Sequence, residues 1–208
     1  MSNLLYVQYG CGVDAPEGWL NFDCSPTLVY ERIPLLGRLY TKNKQRFPVN
    51  VRYGNIVKGL PIPEASCCGI FCCHMLEHLS LADFDRALMQ TWRHLAPGGT
   101  FRLIVPDLEN FANAYLKEDD PLAAINFMKR TSLGLEARGS GFAKFLAAWL
   151  GNSAHLWMWD EKSLAHKLGE HGFRNIKRVQ FGDAVDNRFN EVEKPDRFVH
   201  SIAMQCGK

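Results

Sequence analysis

Leu4-Leu5-Tyr6-Val7-Gln8-Tyr9-Gly10-Cys11-Gly12 is a short apolar run that stops at two glycines one residue apart. A buried strand reads as a continuous apolar run ended by turn residues. Glycine lets the backbone pass close to a ligand with no Cβ in the way. The stretch therefore reads as a first strand feeding a ligand-binding loop, although an ordinary strand and a tight turn give the same pattern. The downstream spacing favours the loop. Only Val13 to Gly18 separates the glycines from a second strand pattern, Trp19-Leu20-Asn21-Phe22-Asp23. A nucleotide-binding βαβ unit places its ribose-binding acid about 20 residues beyond the glycines, after a full crossover helix. This link is too short for a helix. At ~3.3 Å per residue, however, an extended chain can run back along a short strand and start a parallel neighbour. The spacing predicts a first crossover with little or no helix.

Further along, Thr27 to Leu39 has helical spacing broken by Pro34, and Val49 to Tyr53 is a third strand ending at Gly54-Asn55-Ile56. Cys67 to Cys73 reads as a strand buried on both faces. Ser80-Leu81-Ala82-Asp83 has the form of a capping box, and Leu81, Phe84, Leu88, Trp92 and Leu95 recur at three- and four-residue spacing on one apolar face. That helix is expected to stop at Pro97-Gly98-Gly99, with Thr100 to Val105 as the next strand and Pro106 closing it. Residues 107–152 carry no strand signal and read as two or three helices inserted between sheet elements. One, near Gly141 to Leu150, groups Phe142, Phe145, Leu146, Trp149 and Leu150 on a single face. Then come a helix capped by Asp160 with Leu164 and Leu168 inward, a strand Ile176 to Phe181, a polar hairpin-like loop Gly182 to Asp196, and a last strand Phe198 to Met204.

Composition sets the limits. The 208 residues are 47% hydrophobic with a formal net charge of +2. That is one domain, 1–208, able to bury a sizeable core, with 107–152 as a helical insertion or lid. The charge balance offers no extended basic face for nucleic acid, and the local cluster Arg38, Lys42, Lys44 and Arg46 reads as a solvated loop. Seven cysteines, four of them in adjacent pairs, match no zinc spacing, so no metal is expected and the thiols are read as free and mostly buried. Without a signal-peptide pattern or a long apolar span, the expected location is cytoplasmic.

Alternating strands and helices imply a parallel sheet with its ligand at the carboxyl ends, where Gly10 to Gly12, Asp23, Asn55 and His74 would converge. The carrying stretches are Tyr9-Gly10-Cys11-Gly12, Gly18-Trp19-Leu20-Asn21-Phe22-Asp23, Leu60-Pro61-Ile62, His74-Met75-Leu76-Glu77-His78-Leu79, and Leu95-Ala96-Pro97-Gly98-Gly99-Thr100-Phe101-Arg102-Leu103. In this order they resemble class I S-adenosylmethionine-dependent methyltransferases, in particular a small bacterial, type-11-like methyltransferase-domain group. The resemblance implies a Rossmann-like α/β fold: a seven-stranded, mostly parallel sheet with helices on both faces and an antiparallel last strand. It implies S-adenosylmethionine as cofactor, leaving S-adenosylhomocysteine. By position, Tyr9, Gly10, Cys11 and Gly12 would pass the methionine part and Asp23 would take the ribose hydroxyls. Asn55 and Ile56 would meet the adenine, and His74 and Met75 would lie by the sulfur. The chain departs from the group's pattern at Asn55, where an acid is usual, and many class I members also carry an acid near the position of Gln8.

Methyl transfer from a sulfonium is an in-line displacement, so the protein must hold the acceptor and, for a hydroxyl, remove its proton. His155 and His78 are the candidate bases, each with a structural reading beside it. His74 reads as a pocket wall. Trp157 and Trp159 would flank a sugar ring or the sulfonium, or else simply pack. Asp107 and Glu109 would orient an acceptor or start a helix. The expected activity is methylation of a small-molecule or sugar acceptor, with surface polysaccharide synthesis as the setting by analogy. The alternative is a non-catalytic cofactor- or partner-binding module that uses the 142–150 apolar stripe, through which a homo-oligomer or protein partner would dock. A nicotinamide dehydrogenase fits less well, because Gly12 to Asp23 is short and no third glycine opens a helix.

Overall fold

The computed structural model describes residues 5–35, 37, 45–135 and 154–208. Two expected features fall outside them, the 141–150 helix with its apolar stripe and most of the basic cluster. Seven strands form one sheet in the order β3-β2-β1-β4-β5-β7-β6: β1 Leu5–Tyr9, β2 Leu20–Asp23, β3 Val51–Tyr53, β4 Cys67–Cys73, β5 Leu95–Pro106, β6 Arg174–Val179 and β7 Ser201–Gly207. All pairs are parallel except those of β7, which is antiparallel to both β5 and β6. This is the Rossmann-like sheet expected from the sequence.

Strand alternation sorts the side chains into two layers. Val7, Tyr9, Ile70, Cys72, Phe101, Leu103 and Met204 face one side. There they meet Phe84, Ala87 and Leu88 of α2 (Leu81–His94) and Leu164 and Leu168 of α5 (Glu161–Glu170). Both helices begin where the sequence places them, with Ser80 accepting from the Asp83 N–H and Asp160 from the Ser163 N–H.

The second face is closed differently. Its helix is the six-residue α1 (Pro26–Glu31), whose Leu28 packs with Phe47 and Val51 at the β3 edge. Among the described residues, the rest is covered by two single turns, Asn187–Glu191 and Pro195–Phe198, with Phe189 and Val192 buried against Trp19, Phe71 and Ile104. The expected hairpin loop 182–196 is thus a packed strap. Two buried amides do the work of the missing crossover helix between β1 and β2. Gln8 Nε2 donates to the Asp14 carbonyl at 2.5 Å and to Asn21 Oδ1 at 2.6 Å, and Asn21 Nδ2 donates to the Pro16 carbonyl at 3.1 Å.

Several boundaries differ from expectation: α1 is only Pro26–Glu31, β3 starts at Val51, β6 is Arg174–Val179 instead of Ile176 to Phe181, and two further differences have a clear cause. α2 stops at His94 and β5 already begins at Leu95, running through Pro97-Gly98-Gly99 with a register shift against β4 between Cys67 and Gly69. The glycines there extend a bulged strand instead of ending a helix. The last strand starts at Ser201, three residues later than read, because Pro195–Phe198 is coiled into a turn and His200 has a φ of 55°. Among the described residues, two inserted helices come after β5, α3 (Leu108–Leu116) and α4 (Ala123–Arg130).

Candidate active site

At the carboxyl ends of the central strands, Gly10 and Gly12 both take left-handed backbone, φ 66° and 55°. The Gly12 N–H donates to Asp23 Oδ2 at 2.9 Å and the Ser25 N–H donates to Asp23 Oδ1 at 2.7 Å. Asp23, buried at the end of β2, thereby pins the glycine loop. Each of its carboxylate oxygens already accepts one backbone N–H, and each keeps a second lone pair.

A cavity of about 500 Å³ opens beside this loop, lined by Cys24, Asn55, Ile56, Val57, Met75 and Leu79 among others. Asn55 Oδ1 accepts from the Val57 N–H at 2.9 Å, capping the turn Ile56–Lys58. A second, much smaller cavity lies on the other side of Gly10, lined by Gln8, Tyr9, Cys11, Asp14, Cys73, Val192 and Arg197. Met75 lies against Gly10, where an added Cβ would meet its Cβ and Cγ at 2.6 Å. Tyr9 reaches the cavity only with backbone, since its ring is in the core with the hydroxyl on Thr91. Cys11 is no nucleophile: burial first, then the charges of Asp23 and Asp14, push its thiol far above the ordinary value.

Arg197, which the sequence pattern did not single out, comes in on the strap. It pairs with Asp14 at 3.3 Å, and Lys194 pairs with the same carboxylate. Its distance along the chain from Gly10 left no local signal.

His74, Glu77, His78 and His155 form a cluster just past β4. His74, at φ 50°, directs Nδ1 to Glu77 Oε1 at 3.3 Å and Nε2 to the Arg197 carbonyl at 3.0 Å. Both partners only accept, so the geometry favours a proton on each ring nitrogen. Burial opposes the charged ring, but Glu77 and the Arg197 carbonyl outweigh it and raise the His74 pKa. Glu77 is 1% exposed, and its backbone carbonyl accepts the N–H groups of Leu156 and Trp157 at 2.8 and 3.1 Å. This fixes the 155–157 segment and brings His155 Nε2 to 4.0 Å from Glu77 Oε1. His78 stacks edge-on against His155 with ring centroids 5.0 Å apart, its Nδ1 donating to the Ala154 carbonyl at 3.0 Å. Burial pushes the His155 pKa down, Glu77 pulls it up, and His78 opposes; the net shift is downward, leaving a neutral ring at neutral pH.

Other candidates belong to the scaffold. Trp159 is 2% exposed and stacks on Phe84 at 4.1 Å, so only the exposed Trp157 could line an acceptor pocket. Asp107 caps α3 through the Glu109 N–H and pairs with Arg178, which leaves it structural. All seven cysteines are free, with Cys24 the exposed one.

The family model described as a methyltransferase domain matches residues 7–103, just under half of the chain. No curated protein matches the sequence. Among solved structures, the chain superposes on a SAM-dependent methyltransferase of Thermotoga maritima, titled a possible histamine N-methyltransferase, with a TM-score of 0.53 and 14% identity over 97% of this chain and 81% of that one. It superposes on the YcgJ protein of Bacillus subtilis with a TM-score of 0.51 and 14% identity over 100% and 93%. Of PigF, seen with SAH, it spans 50% of the length at 14% identity and a TM-score of 0.49. At these identities the two superpositions with TM-scores above 0.5 establish the fold alone, and the stretch that the family model matches spans the glycine loop, Asp23 and most of β5.

Proposed function

We propose that this chain, which carries a class I methyltransferase domain, is an S-adenosylmethionine-dependent methyltransferase acting on a hydroxyl of a small molecule or sugar. The observation that carries the reading is the junction of Gly12 and Asp23 beside a 500 Å³ cavity lined by Asn55, Ile56 and Met75. The residues present fit the cofactor. Two glycines keep side chains off the backbone path, and the Asp23 carboxylate, with its spare lone pairs, would accept from two ribose hydroxyls. An apolar-walled cavity then remains for a base. Gly10, Gly12 and the backbone of Tyr9 and Cys11 would border the methionine part, and Arg197 would meet its carboxylate. Asn55 and Ile56 would meet the adenine, with Met75 and His74 near the sulfur.

When bound, the cofactor supplies an electrophilic methyl group on a sulfonium. The chain's own task is to place the acceptor oxygen behind that methyl and to take the hydroxyl proton. His155 is the base in this reading. It is neutral at neutral pH and so can accept a proton, and Glu77 beside it would stabilise the resulting imidazolium. His78 packs against it as the second candidate. A sugar acceptor is favoured by the exposed Trp157 next to the cluster, and a role in surface polysaccharide synthesis rests on the resemblance alone. In this reading 1–208 is one methyltransferase-like domain with 107–152 as its lid. Among the described residues no helix is long and apolar enough to cross a membrane, and we place the reaction in the cytoplasm.

Calorimetric titration with S-adenosylhomocysteine tests this, with a nicotinamide dinucleotide as control. Saturable one-to-one binding of the first alone is expected, weakened in Asp23→Ala by about 1–3 kcal/mol as for a lost charged hydrogen-bonding group. No saturable binding, or equal binding by Asp23→Ala, would sink the assignment. A nucleotide-sugar screen for methylated product then identifies the acceptor.

A further inference from the structure

We propose that Glu77, His78 and His155 bind one divalent transition-metal ion, zinc by their chemistry, just past the carboxyl end of β4. Each offers a ligand atom, and the three atoms lie within 4.8 Å of one another. One buried atom of the cluster points independently to a ligand: Glu77 is 1% exposed, yet its Oε2 has no hydrogen-bond partner. Among the described residues no lysine or arginine pairs with Glu77. Its ion pairs are with His74 and His155, both through Oε1. A buried carboxylate oxygen left unpaired is costly, and a cation removes that cost.

The surroundings match what metal ligands need. Ligating carboxylates are held by a hydrogen bond from outside the site, and His74 donates one to Oε1; ligating imidazoles donate their other N–H to a carbonyl, and His78 Nδ1 does so to Ala154. Two imidazoles and one carboxylate form a donor set that zinc accepts in tetrahedral sites with the fourth position open. Magnesium, which prefers oxygen ligands, is disfavoured. With ligand bonds of about 2.0–2.1 Å, ligand atoms within 4.8 Å of one another come onto one ion by side-chain adjustment, the His155 Nε2 already lying 4.0 Å from the Glu77 carboxylate. Cysteine spacing could not reveal this site, because its ligands are two adjacent residues and one brought in from the far side of the insertion.

Ion binding stands apart from the methyl-transfer reading; its use in catalysis rests on that reading. With the ion bound, the open position would take the acceptor oxygen and lower its pKa, so the hydroxyl proton would leave to water, and the base role given to His155 above would belong to the ion-free chain alone.

The test uses the full chain, stripped with a chelator and dialysed against zinc, with metal content and calorimetric zinc titration as readouts. One zinc per chain is expected, with at least ten-fold weaker binding in His155→Ala and in Glu77→Gln, their folds checked by circular dichroism. Cobalt(II) in place of zinc reports the ligands in the wild type without any substitution, and a four-coordinate spectrum lacking thiolate charge transfer is expected. Failure to take up zinc, equal uptake of magnesium, unchanged binding by both variants, or a thiolate band would each overturn the proposal. Titration with S-adenosylhomocysteine on the same samples separates this failure from failure of the cofactor reading.

Discussion

A methyl group added at Gly10 would lie 2.6 Å from two atoms of Met75, whereas one added at Gly12 would meet nothing within 4 Å. Both positions have positive φ, so the two substitutions share backbone strain and differ in the clash. Gly12→Ala should cost about 1–2 kcal/mol from the left-handed backbone alone, and Gly10→Ala about 2–5 kcal/mol once overpacking of about 1–3 kcal/mol is added. Urea denaturation of the two variants checks this, and equal losses would show that Met75 moves aside freely. Both glycines were legible because a strand ending in Gly-x-Gly already states what the backbone needs. Glu77 was not. Read locally it ties a turn, and its contacts with His155 and the 155–157 backbone exist only once α3, α4 and the insertion have brought the chain back. Arg197 was hidden for the same reason.

At the scale of elements, pattern and cap agree wherever the reading succeeded, as in α5. Asp160 accepts the Ser163 N–H at 2.8 Å and also the Ser163 hydroxyl. Asp160→Ala should cost about 1 kcal/mol near neutral pH, typical of a lost N-cap. The Ser163 hydroxyl first, and its N–H second, hold the Asp160 carboxyl below its ordinary value of 3.8. Its contribution is therefore present above about that pH and lost as pH falls below it, so wild type and variant should converge in acid. At the other end of α2, His94 Nε2 accepts the Leu60 N–H at 3.1 Å while Nδ1 faces the Pro63 carbonyl at 3.4 Å. That requires a neutral ring, and burial pushes its pKa below 6.5, against a smaller upward pull from Pro63 and Glu64. A depressed histidine gives stability that is full above its unfolded pKa and declines as pH falls through the folded one. The wild type should thus lose its advantage over His94→Gln as pH falls below about 6.5. Thermal melts of both proteins across that range decide it. Boundaries were less legible where glycine and proline do something other than punctuate. At Pro97-Gly98-Gly99 a register shift lets the strand continue, and in 182–198 a few scattered apolar residues, Ala184, Phe189, Val192 and Phe198, hint that a polar stretch packs on the sheet.

At the scale of the molecule, the described residues seal the second face of the sheet with little helix, and polar side chains at central positions make that workable. Arg102, 1% exposed on β5, donates to Glu193 Oε1 and Gln205 Oε1 at 2.7 Å each and to Asp183 Oδ1 at 3.0 Å, with its guanidinium 5.7 Å from the centre of the Phe189 ring. It thus fastens both ends of the strap to the middle of the sheet. A single arginine in a strand is normally read as facing solvent, and partners so distant in sequence left no sign that this one faces inward. Burial drives the Glu193 carboxyl up and Arg102 pulls it down, the first effect winning, so the pair relies on its geometry. Arg102→Met leaves Glu193 buried without its cation and should cost about 3–5 kcal/mol, whereas Arg102→Met with Glu193→Leu should recover part of the loss, because an apolar pair carries no desolvation penalty. A double-mutant cycle by chemical denaturation measures this. The strap also carries Lys194 and Arg197 to Asp14 beside the glycine loop. Loosening it should therefore weaken S-adenosylhomocysteine binding, although Arg102 itself lines neither cavity. If Arg102→Met lost stability while its affinity stayed at the wild-type value, the strap would be a cover for the sheet and nothing more.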